Sequence, residues 1–256
     1  MRPKKRQTGG KYRPRGLDIL YEDEDILVVD KPAGLLTIGT DNNKTGTAYY
    51  ILTDYVRRGY SKSRSRIFIV HRLDKSTSGV MVFAKNEEAK LRLQTQWKDT
   101  KKKYVGVVYG RLAKKEGVIS SYLAESKAYV VYSTTDATKG RLAHTAYKVL
   151  KESRQFSLLE INLLTGRKNQ IRVHMADKGH PVVGDRKYGK PKDRFRRLAL
   201  HSKSISFKHP VSGRQMTFET KVPNYFNELI DTGKNNLTDN PPAAGKYYLD
   251  AGGDKF

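Results

Sequence analysis

HRLDKSTSGVMVFAK, residues 71–85, joins a charged and polar half to an apolar half, and the rest of the chain is interpreted from it. Residues 80–84 are apolar, β-branched or aromatic and follow a glycine, which predicts a short buried strand. The charged half of the stretch then lies at the entrance of that strand, with Arg72 and Lys75 beside Asp74. A carboxylate held among cations stays ionised near neutral pH. Asp74 therefore fits a nucleophile or a base, and the same spacing also fits an ordinary turn residue.

The composition indicates a protein that binds a polyanion. The chain has 256 residues, and 50 lysines and arginines against 26 aspartates and glutamates give a net charge of +24. This charge favours a nucleic acid as partner, with an anionic membrane surface as the alternative. No stretch approaches the roughly 18 apolar residues of a membrane-spanning helix, and no signal-peptide pattern is present. The lack of cysteine excludes disulfides and fits a cytoplasmic protein.

The two ends of the chain differ in composition from its middle. Residues 1–16 carry lysines and arginines but no acid, which predicts a flexible basic arm. Such an arm tethers RNA phosphates or only keeps the chain in solution. Residues 231–256 are rich in glycine, asparagine and proline without an apolar period, so we expect a disordered or loosely docked tail. Residues 17–230 are predicted to form a single domain.

Hydrophobic periodicity predicts both helices and strands in this domain. One helix is capped by Thr47 and a second by Asn86, with Trp97 on the buried face of the second. Residues 167–178, closed by Gly179, predict a third helix. Four successive segments predict strands with short connections, which favours an antiparallel or mixed sheet and an α+β fold: residues 118–122, 128–132, 143–150 and 156–164.

Three stretches resemble the motifs of one enzyme family, the RluA-type RNA pseudouridine synthases. Residues 71–79, HRLDKSTSG, are similar to the active-site motif of that family. Residues 22–36, EDEDILVVDKPAGLL, are similar to its opening motif. Residues 165–189, TGRKNQIRVHMADKGHPVVGDRKYG, are similar to its third motif. The motifs follow one another in the family's order and span most of residues 17–226.

The resemblance implies both a reaction and an architecture. The expected enzyme isomerises specific uridines of a structured RNA to pseudouridine, with ribosomal RNA as the first choice and transfer RNA as the second. It needs no cofactor, because the reaction is an isomerisation. The expected fold is a mixed, mostly antiparallel sheet flanked by helices, with a basic active-site cleft across it. We expect residues 17–230 to be the catalytic domain of a monomer.

The resemblance also implies roles for individual residues. Asp74 is expected to be the nucleophile or covalent partner, with Arg172 as its ion-pair partner. Tyr104, in a KxYxxxxxG context, is expected to stack on the base and to accept a proton. Arg72 is expected to fill the space that the flipped-out nucleotide leaves. Further RNA contacts are expected from His71, Arg64, Arg66, Lys103, Arg167, Lys168 and Asn169.

The chain departs from the family pattern at Asn169, where histidine is usual, and asparagine can form hydrogen bonds but cannot take up a proton. No metal is expected, since no set of histidines and acids has clear metal spacing. No nucleotide cofactor is expected either, because no glycine-rich phosphate loop is present. Two alternatives stay open: a catalytically inactive RNA-binding protein on the same scaffold, and an unrelated hydrolase with Asp74 as its base.

Overall fold

The computed structural model describes residues 13–39, 45–190 and 193–232. The strands in these ranges are β1 (Asp18–Glu22), β2 (Ile26–Lys31), β3 (Phe68–Ile69), β4 (Ser78–Ala84), β5 (Lys101–Tyr109), β6 (Glu116–Glu125), β7 (Val131–Thr134), β8 (Arg141–Glu152), β9 (Phe156–Leu163), β10 (Leu200–Lys208) and β11 (Gln215–Glu219). The helices are α1 (Ala48–Arg57), α2 (Glu87–Thr95), α3 (Gln170–Asp177) and α4 (Asn224–Thr232).

All these strands belong to one sheet, in the order β1-β2-β4-β10-β5-β9-β8-β6-β7, with β3 beside β4 and β11 beside β10. The central pair of β4 and β10 is parallel. The other pairs are antiparallel. Short connections join half of the paired neighbours, such as β8 and β9, as successive strand patterns predict, whereas whole elements separate the others, such as β5 and β9. The predicted α+β class, with a mixed and mostly antiparallel sheet, is confirmed.

The first two helices begin where their capping residues predict. The Thr47 side chain accepts a hydrogen bond from Tyr50 N at 3.2 Å. The Asn86 side chain accepts one from Ala89 N at 2.8 Å. Each bond satisfies a backbone donor that has no partner within its helix. Trp97 differs from its prediction, because α2 ends at Thr95 and the indole lies beyond the helix, only partly buried.

The third helix is shorter than its pattern predicts. It begins at Gln170, so Arg167 and Lys168 lie in the preceding turn and not in the helix. Asn169 causes this late start, because its φ of 54° is left-handed and cannot continue a right-handed helix. Gly179, with a φ of 78°, follows the helix as predicted. The amphipathic helix α4 was not predicted from the sequence.

The core has a larger and a smaller part on opposite faces of the sheet, and a third cluster of four buried residues lies between β6, β7, β8 and α3. Along β2 and β4, residues such as Leu27 and Met81 face the larger part, to which α1, α3 and α4 contribute. Their neighbours Val28 and Val82 face the smaller part, which Leu93 of α2 helps to cover. Every residue of β4 is buried. Burial on both faces explains the continuous apolar run of this strand and makes it a rigid base for the loop before it.

Gly79 permits the close approach of β4 to β10. Its φ is 114°, and a Cβ at this position would lie 2.2 Å from Ser202 O. A side chain there would push the two parallel strands apart. Gly79, the glycine of the HRLDKSTSG stretch, therefore permits the close pairing of β4 with β10, and Asp74 lies in the loop just before β4.

The predicted arm and tail fall largely outside the described residues. Residues 1–12 of the arm and 233–256 of the tail are not described. Within the described ranges, α4 continues two residues past the predicted domain end at 230. None of the helices in those ranges has the length and apolar character required to cross a membrane.

Candidate active site

Asp74 lies in the loop between β3 and β4, which the segment after β2 holds in place. Thr37 Oγ1 donates a hydrogen bond to Leu73 O at 2.9 Å and accepts one from Leu73 N at 3.3 Å. On the other side of Asp74, Gly34 N donates to Lys75 O at 2.8 Å. The backbone is thus fixed immediately before and after Asp74, while the Asp74 side chain stays 30% exposed.

Lys31, the last residue of β2, is a buried cation beneath the same loop. Its Nζ donates to three carbonyl oxygens, those of Pro32, Leu35 and Lys75, at 2.8, 2.8 and 3.3 Å. Burial lowers the pKa of Lys31 to about 7, although the nearby Asp74 opposes that shift. Sequence analysis missed this residue. The available signal was a lysine that directly continues the apolar strand ILVVD.

Arg172, in the first turn of α3, joins two carboxylates. Its Nη1 lies 3.1 Å from Asp74 Oδ2, so the predicted ion pair is present. Its Nε and Nη2 donate to Asp185 Oδ2 and Oδ1, both at 2.7 Å, in a bidentate pair. The Asp185 side chain is 0% exposed. Asp185 is therefore the stronger partner of Arg172, and sequence analysis did not single it out.

The electrostatics of the bidentate pair favour an ionised Asp185 and an ionised Arg172. Burial acts to raise the pKa of Asp185, but the hydrogen bonds from Arg172 outweigh it and the pKa lies below its usual range. Burial acts to lower the pKa of Arg172, and the two carboxylates outweigh it, Asp185 first, so that pKa is raised. Asp185 thus holds the guanidinium in a fixed orientation, from which Nη1 reaches Asp74.

Asn169 has a structural use at the position where histidine is usual. Its Oδ1 accepts a hydrogen bond from Arg172 Nη1 at 3.0 Å, and its Nδ2 donates to Tyr188 Oη at 3.0 Å. The Tyr188 ring centroid lies 5.1 Å from the Arg172 guanidinium carbon. Asparagine also tolerates the left-handed backbone found here better than most residues. The amide thus helps to position Arg172.

Asp74 borders two cavities that form the cleft. The larger has a volume of about 420 Å³ and the smaller about 220 Å³. The larger is in the usual size range of ligand pockets, about 300–1,000 Å³. Arg72, Asn169 and Arg172 border both cavities, and Arg167 and Lys168 border the larger one. The structure therefore brings most of the predicted RNA-binding residues to one cleft around Asp74.

Tyr104 forms part of the wall of the larger cavity, on β5. It is 8% exposed. Burial raises the pKa of its hydroxyl above the usual range, a hydrogen bond with Ser202 opposes the shift, and the charge of Asp74 adds to it. A phenol in this setting stays protonated at neutral pH. Tyr104 borders the cavity, and its two predicted roles, stacking on the base and accepting a proton, stay predictions.

His71 also borders the larger cavity, and its ring contacts other parts of the protein. Its Nε2 accepts a hydrogen bond from Val82 N at 3.1 Å, and its ring centroid lies 4.5 Å from that of Trp97. Burial, with a smaller contribution from Lys102, lowers the pKa of His71 to about 3. The imidazole is therefore neutral at neutral pH and offers no charge to an RNA phosphate.

Three predicted RNA contacts lie outside the cleft. Lys103 Nζ pairs with Glu160 at 3.2 Å, on the face of β5 opposite to Tyr104. The lysine that borders the cavity is its neighbour Lys102. Arg64 and Arg66 border neither cavity, and Arg66 pairs with Glu87 at the start of α2. Their predicted contacts with RNA stay predictions, at positions outside the cleft.

One group of side chains in the described ranges has the spacing that a metal ion requires, namely Asp23, Asp25 and His209. His209 Nε2 lies 2.9 Å from Asp23 Oδ2, and Asp25 Oδ1 accepts from Asn86 Nδ2 at 2.9 Å. His209 Nδ1 accepts from the backbone at Ser212, so Nε2 carries the proton and donates to Asp23. These ligand atoms already have partners, and the group borders neither cavity.

Comparisons with known proteins agree with the geometry. Residues 25–177 match the family model described as RNA pseudouridylate synthase. The uncharacterized RNA pseudouridine synthase YlyB of Bacillus subtilis is 37% identical over 227 residues, which are 87% of this chain and 75% of that protein. Ribosomal large subunit pseudouridine synthase C of Rickettsia bellii is 33% identical over 217 residues, 82% of this chain and 70% of that protein.

The fold is also found among solved structures. Human RNA pseudouridylate synthase domain containing 4 superposes with a TM-score of 0.69 at 23% identity, over 82% of this chain and 90% of that one. The family model spans more than half of the chain, from β2 to the end of α3. It includes both residues of the Asp74–Arg172 pair. The chain belongs to the RNA pseudouridylate synthase family and is an RNA pseudouridine synthase.

Proposed function

We propose that this enzyme isomerises a uridine of ribosomal RNA and that Asp74 is its nucleophile. The observation that carries the proposal is the state of the Asp74 carboxylate. Oδ2 is held by Arg172, while Oδ1 receives no hydrogen bond from any described residue and the side chain borders both cavities. One oxygen thus anchors the group and the other is available to the target nucleotide.

The reaction exchanges one bond between ribose and uracil for another. The bond from ribose C1′ to uracil N1 breaks, a bond from C1′ to C5 forms, and the proton lost from C5 is balanced by the one gained at N1. Substrate and product have the same atoms, so no oxidant or cofactor is consumed. Asp74 Oδ1 bonds to C1′ as the bond from C1′ to N1 breaks, and the new bond breaks in turn when C5 attacks C1′. A stacking partner is required while the base turns, and we assign this role to Tyr104.

The target uridine must leave its helix to reach Asp74, which costs a few kcal/mol. Arg72 borders both cavities and is exposed, so it is placed to fill the vacated space in the RNA. The cations around the cleft contribute phosphate contacts that offset the cost. The net charge of +24 gives the whole chain an attraction to RNA before these specific contacts form.

Ribosomal RNA is the first choice of target because a relative, at 33% identity, is named a ribosomal large subunit pseudouridine synthase. Transfer RNA is the second choice. Pseudouridines are mapped, by a chemical adduct that stops reverse transcription, in RNA from cells that lack the gene. Loss of a stop in ribosomal RNA supports the first choice, and loss only in transfer RNA overturns it.

The role of Asp74 is tested in the same cells. Wild-type protein is expected to restore the missing stop, and Asp74→Asn is expected not to restore it, because an amide lacks the nucleophilic charge at nearly the same size. Restoration by Asp74→Asn would remove Asp74 from the chemistry. Failure of the wild-type protein itself would favour an inactive RNA-binding protein on this scaffold.

A further inference from the structure

We propose that Tyr129 is a stacking platform for an unpaired nucleobase next to the target uridine. This proposal rests on the RNA-modifying function proposed above and adds a contact outside the cleft. Tyr129 lies in the turn between β6 and β7 and is 73% exposed. No other large apolar or aromatic side chain in the described ranges is as exposed. The fold therefore leaves this ring accessible to a ligand.

The backbone holds Tyr129 in a conformation that aromatic residues rarely adopt. Its φ is 58°, and Arg58 and Asn169 are the only other non-glycine residues with positive φ in the described ranges. Two hydrogen bonds to Ser126 close the turn. Tyr129 N donates to Ser126 O at 2.9 Å, and Val130 N donates to Ser126 Oγ at 3.2 Å. The backbone of Tyr129 is thus unfavourable for an aromatic residue, and the side chain adds little to the core. This combination indicates a functional role for the ring.

Two lysines place the ring at the edge of the cleft. Lys168 Nζ lies 5.6 Å from the centroid of the Tyr129 ring, and Lys187 Nζ donates to Tyr129 O at 2.8 Å. Lys168 borders the larger cavity and Lys187 borders the smaller one. Tyr129 therefore lies between residues of the two cavities that meet at Asp74. A base stacked on its ring would have a cation for the phosphate on each side.

The turn is attached to the residues that hold Arg172. Val131 N donates to Tyr188 Oη at 3.1 Å, and the same oxygen accepts from Asn169 Nδ2 at 3.0 Å. The Tyr188 ring packs against the Arg172 guanidinium. The backbone of the turn that carries Tyr129 is thus joined by a short chain of contacts to the ion pair of Asp74. A base bound there would lie at a fixed distance from the reacting carboxylate.

The ligand is an unpaired nucleobase of any identity. Stacking on an aromatic ring discriminates little between bases, since each base has a π-face. The platform therefore raises affinity for an RNA whose target uridine is flanked by an unpaired nucleotide. It takes no part in bond making.

The test compares variants that keep or remove the ring without changing the turn. Tyr129→Asn removes the ring and suits the left-handed backbone, and Tyr129→Phe keeps the ring. Tyr60→Ala is the matched control, because Tyr60 is 62% exposed and borders neither cavity. The substrate is ribosomal RNA from cells that lack the gene, and the measurement is initial rate of pseudouridine formation against RNA concentration.

Tyr129→Asn is expected to raise KM about tenfold with kcat unchanged, from the loss of one stacked base. Its thermal unfolding midpoint should equal or exceed that of the wild type, because the backbone strain is relieved. Tyr129→Phe and Tyr60→Ala should keep the wild-type KM.

An unchanged KM in Tyr129→Asn, or an equal rise in Tyr60→Ala, would overturn the assignment. A drop in kcat for Tyr129→Asn with no rise in KM would overturn it as well. If the wild-type protein formed no pseudouridine, the proposed function would fail first, and the same assay shows this directly.

Discussion

The floor and the rim of the cleft hold their charges in different ways. The floor is defined by Lys31, Asp74, Arg172 and Asp185, whose charges face one another or backbone carbonyls. The rim is defined by exposed cations that border the cavities, namely Arg72, Arg167, Lys168 and Lys187. On the floor, the Arg172 side chain is 12% exposed, whereas that of Lys168 on the rim is 44% exposed.

This difference separates two tasks. Buried charges interact strongly and are costly to leave unpaired, so the floor fixes geometry. Exposed pairs such as Lys168 with Glu125 contribute little to stability, because water and salt screen them. The rim cations can therefore exchange a protein partner for an RNA phosphate at small cost. We expect floor variants to change the rate or the fold, and rim variants to change affinity.

The largest expected effect comes from Arg172→Met, which leaves Asp185 buried without its cation. We expect a loss of about 3–5 kcal/mol in the free energy of unfolding. Adding Asp185→Asn to this variant removes the unpaired charge and should restore part of the stability. Urea unfolding of the wild type, both single variants and the double variant measures the coupling. A coupling near zero would show that the two side chains do not form the floor pair.

Arg172→Lys keeps a charge but cannot reach both carboxylates with a planar fork. It should fold, and its single-turnover rate should fall about 100-fold, as expected when a reacting group is misplaced by an ångström. Wild-type rate in Arg172→Lys would show that charge alone, and not the shared geometry, positions Asp74.

A smaller effect, with a defined pH dependence, is expected for Asp185→Asn. The pKa of Asp185 is lowered in the folded protein, so its interaction stabilises the fold fully above the usual aspartate value of about 3.9. That contribution is lost as the pH falls through the lowered folded value. The variant should be about 1.5–3 kcal/mol less stable near neutrality, the range for hydrogen bonds to charged groups.

The difference in the free energy of unfolding between the wild type and Asp185→Asn should shrink as the pH falls through the lowered pKa of Asp185 in the folded protein. Protonation of Asp185 in the wild type then removes the same interaction. Thermal unfolding over a pH series measures it. A difference that stays constant down to strongly acidic pH would contradict an ionised Asp185 in the fold.

The smallest effect is expected on the rim. Arg167→Ala removes an exposed cation whose only described hydrogen bond runs from Nε to Leu142 O. RNA affinity should fall, and the slope of log affinity against log salt should become shallower by about 0.7–0.9, the value for one phosphate contact. The rate at saturating RNA should not change. Arg154→Ala, in the exposed turn between β8 and β9, is the matched control and should leave the slope unaltered.

Sequence patterns predicted the elements better than the contacts between them. The buried run of β4 and the caps at Thr47 and Asn86 were correct because they depend on local chemistry. The ion pair of Asp74 with Arg172 was predicted through the motifs alone. No spacing rule indicates that Asp185 closes back on Arg172, since the chain must first leave α3 and turn.

Other misses had a signal in the sequence. Side chains alternate along a strand, so once Tyr104 was placed in the cleft, Lys102 and not Lys103 was the lysine on the same face. Trp97 lies one turn after Leu93, and its apolar spacing was correct, but α2 ends before it. The burial of Lys31 was not predicted, because a lysine at the end of an apolar run is usually exposed to solvent.

The division between floor and rim is tested most directly by measuring two quantities on Asp74→Asn, the single-turnover rate at saturating RNA and the dissociation constant of the RNA. Arg167→Ala is measured beside it. We expect Asp74→Asn to lose pseudouridine formation while its dissociation constant stays within a few-fold of the wild type. For Arg167→Ala we expect the opposite, weaker binding with the wild-type rate. An Asp74→Asn enzyme that turns over, or that fails only because it no longer binds RNA, would contradict the central claim.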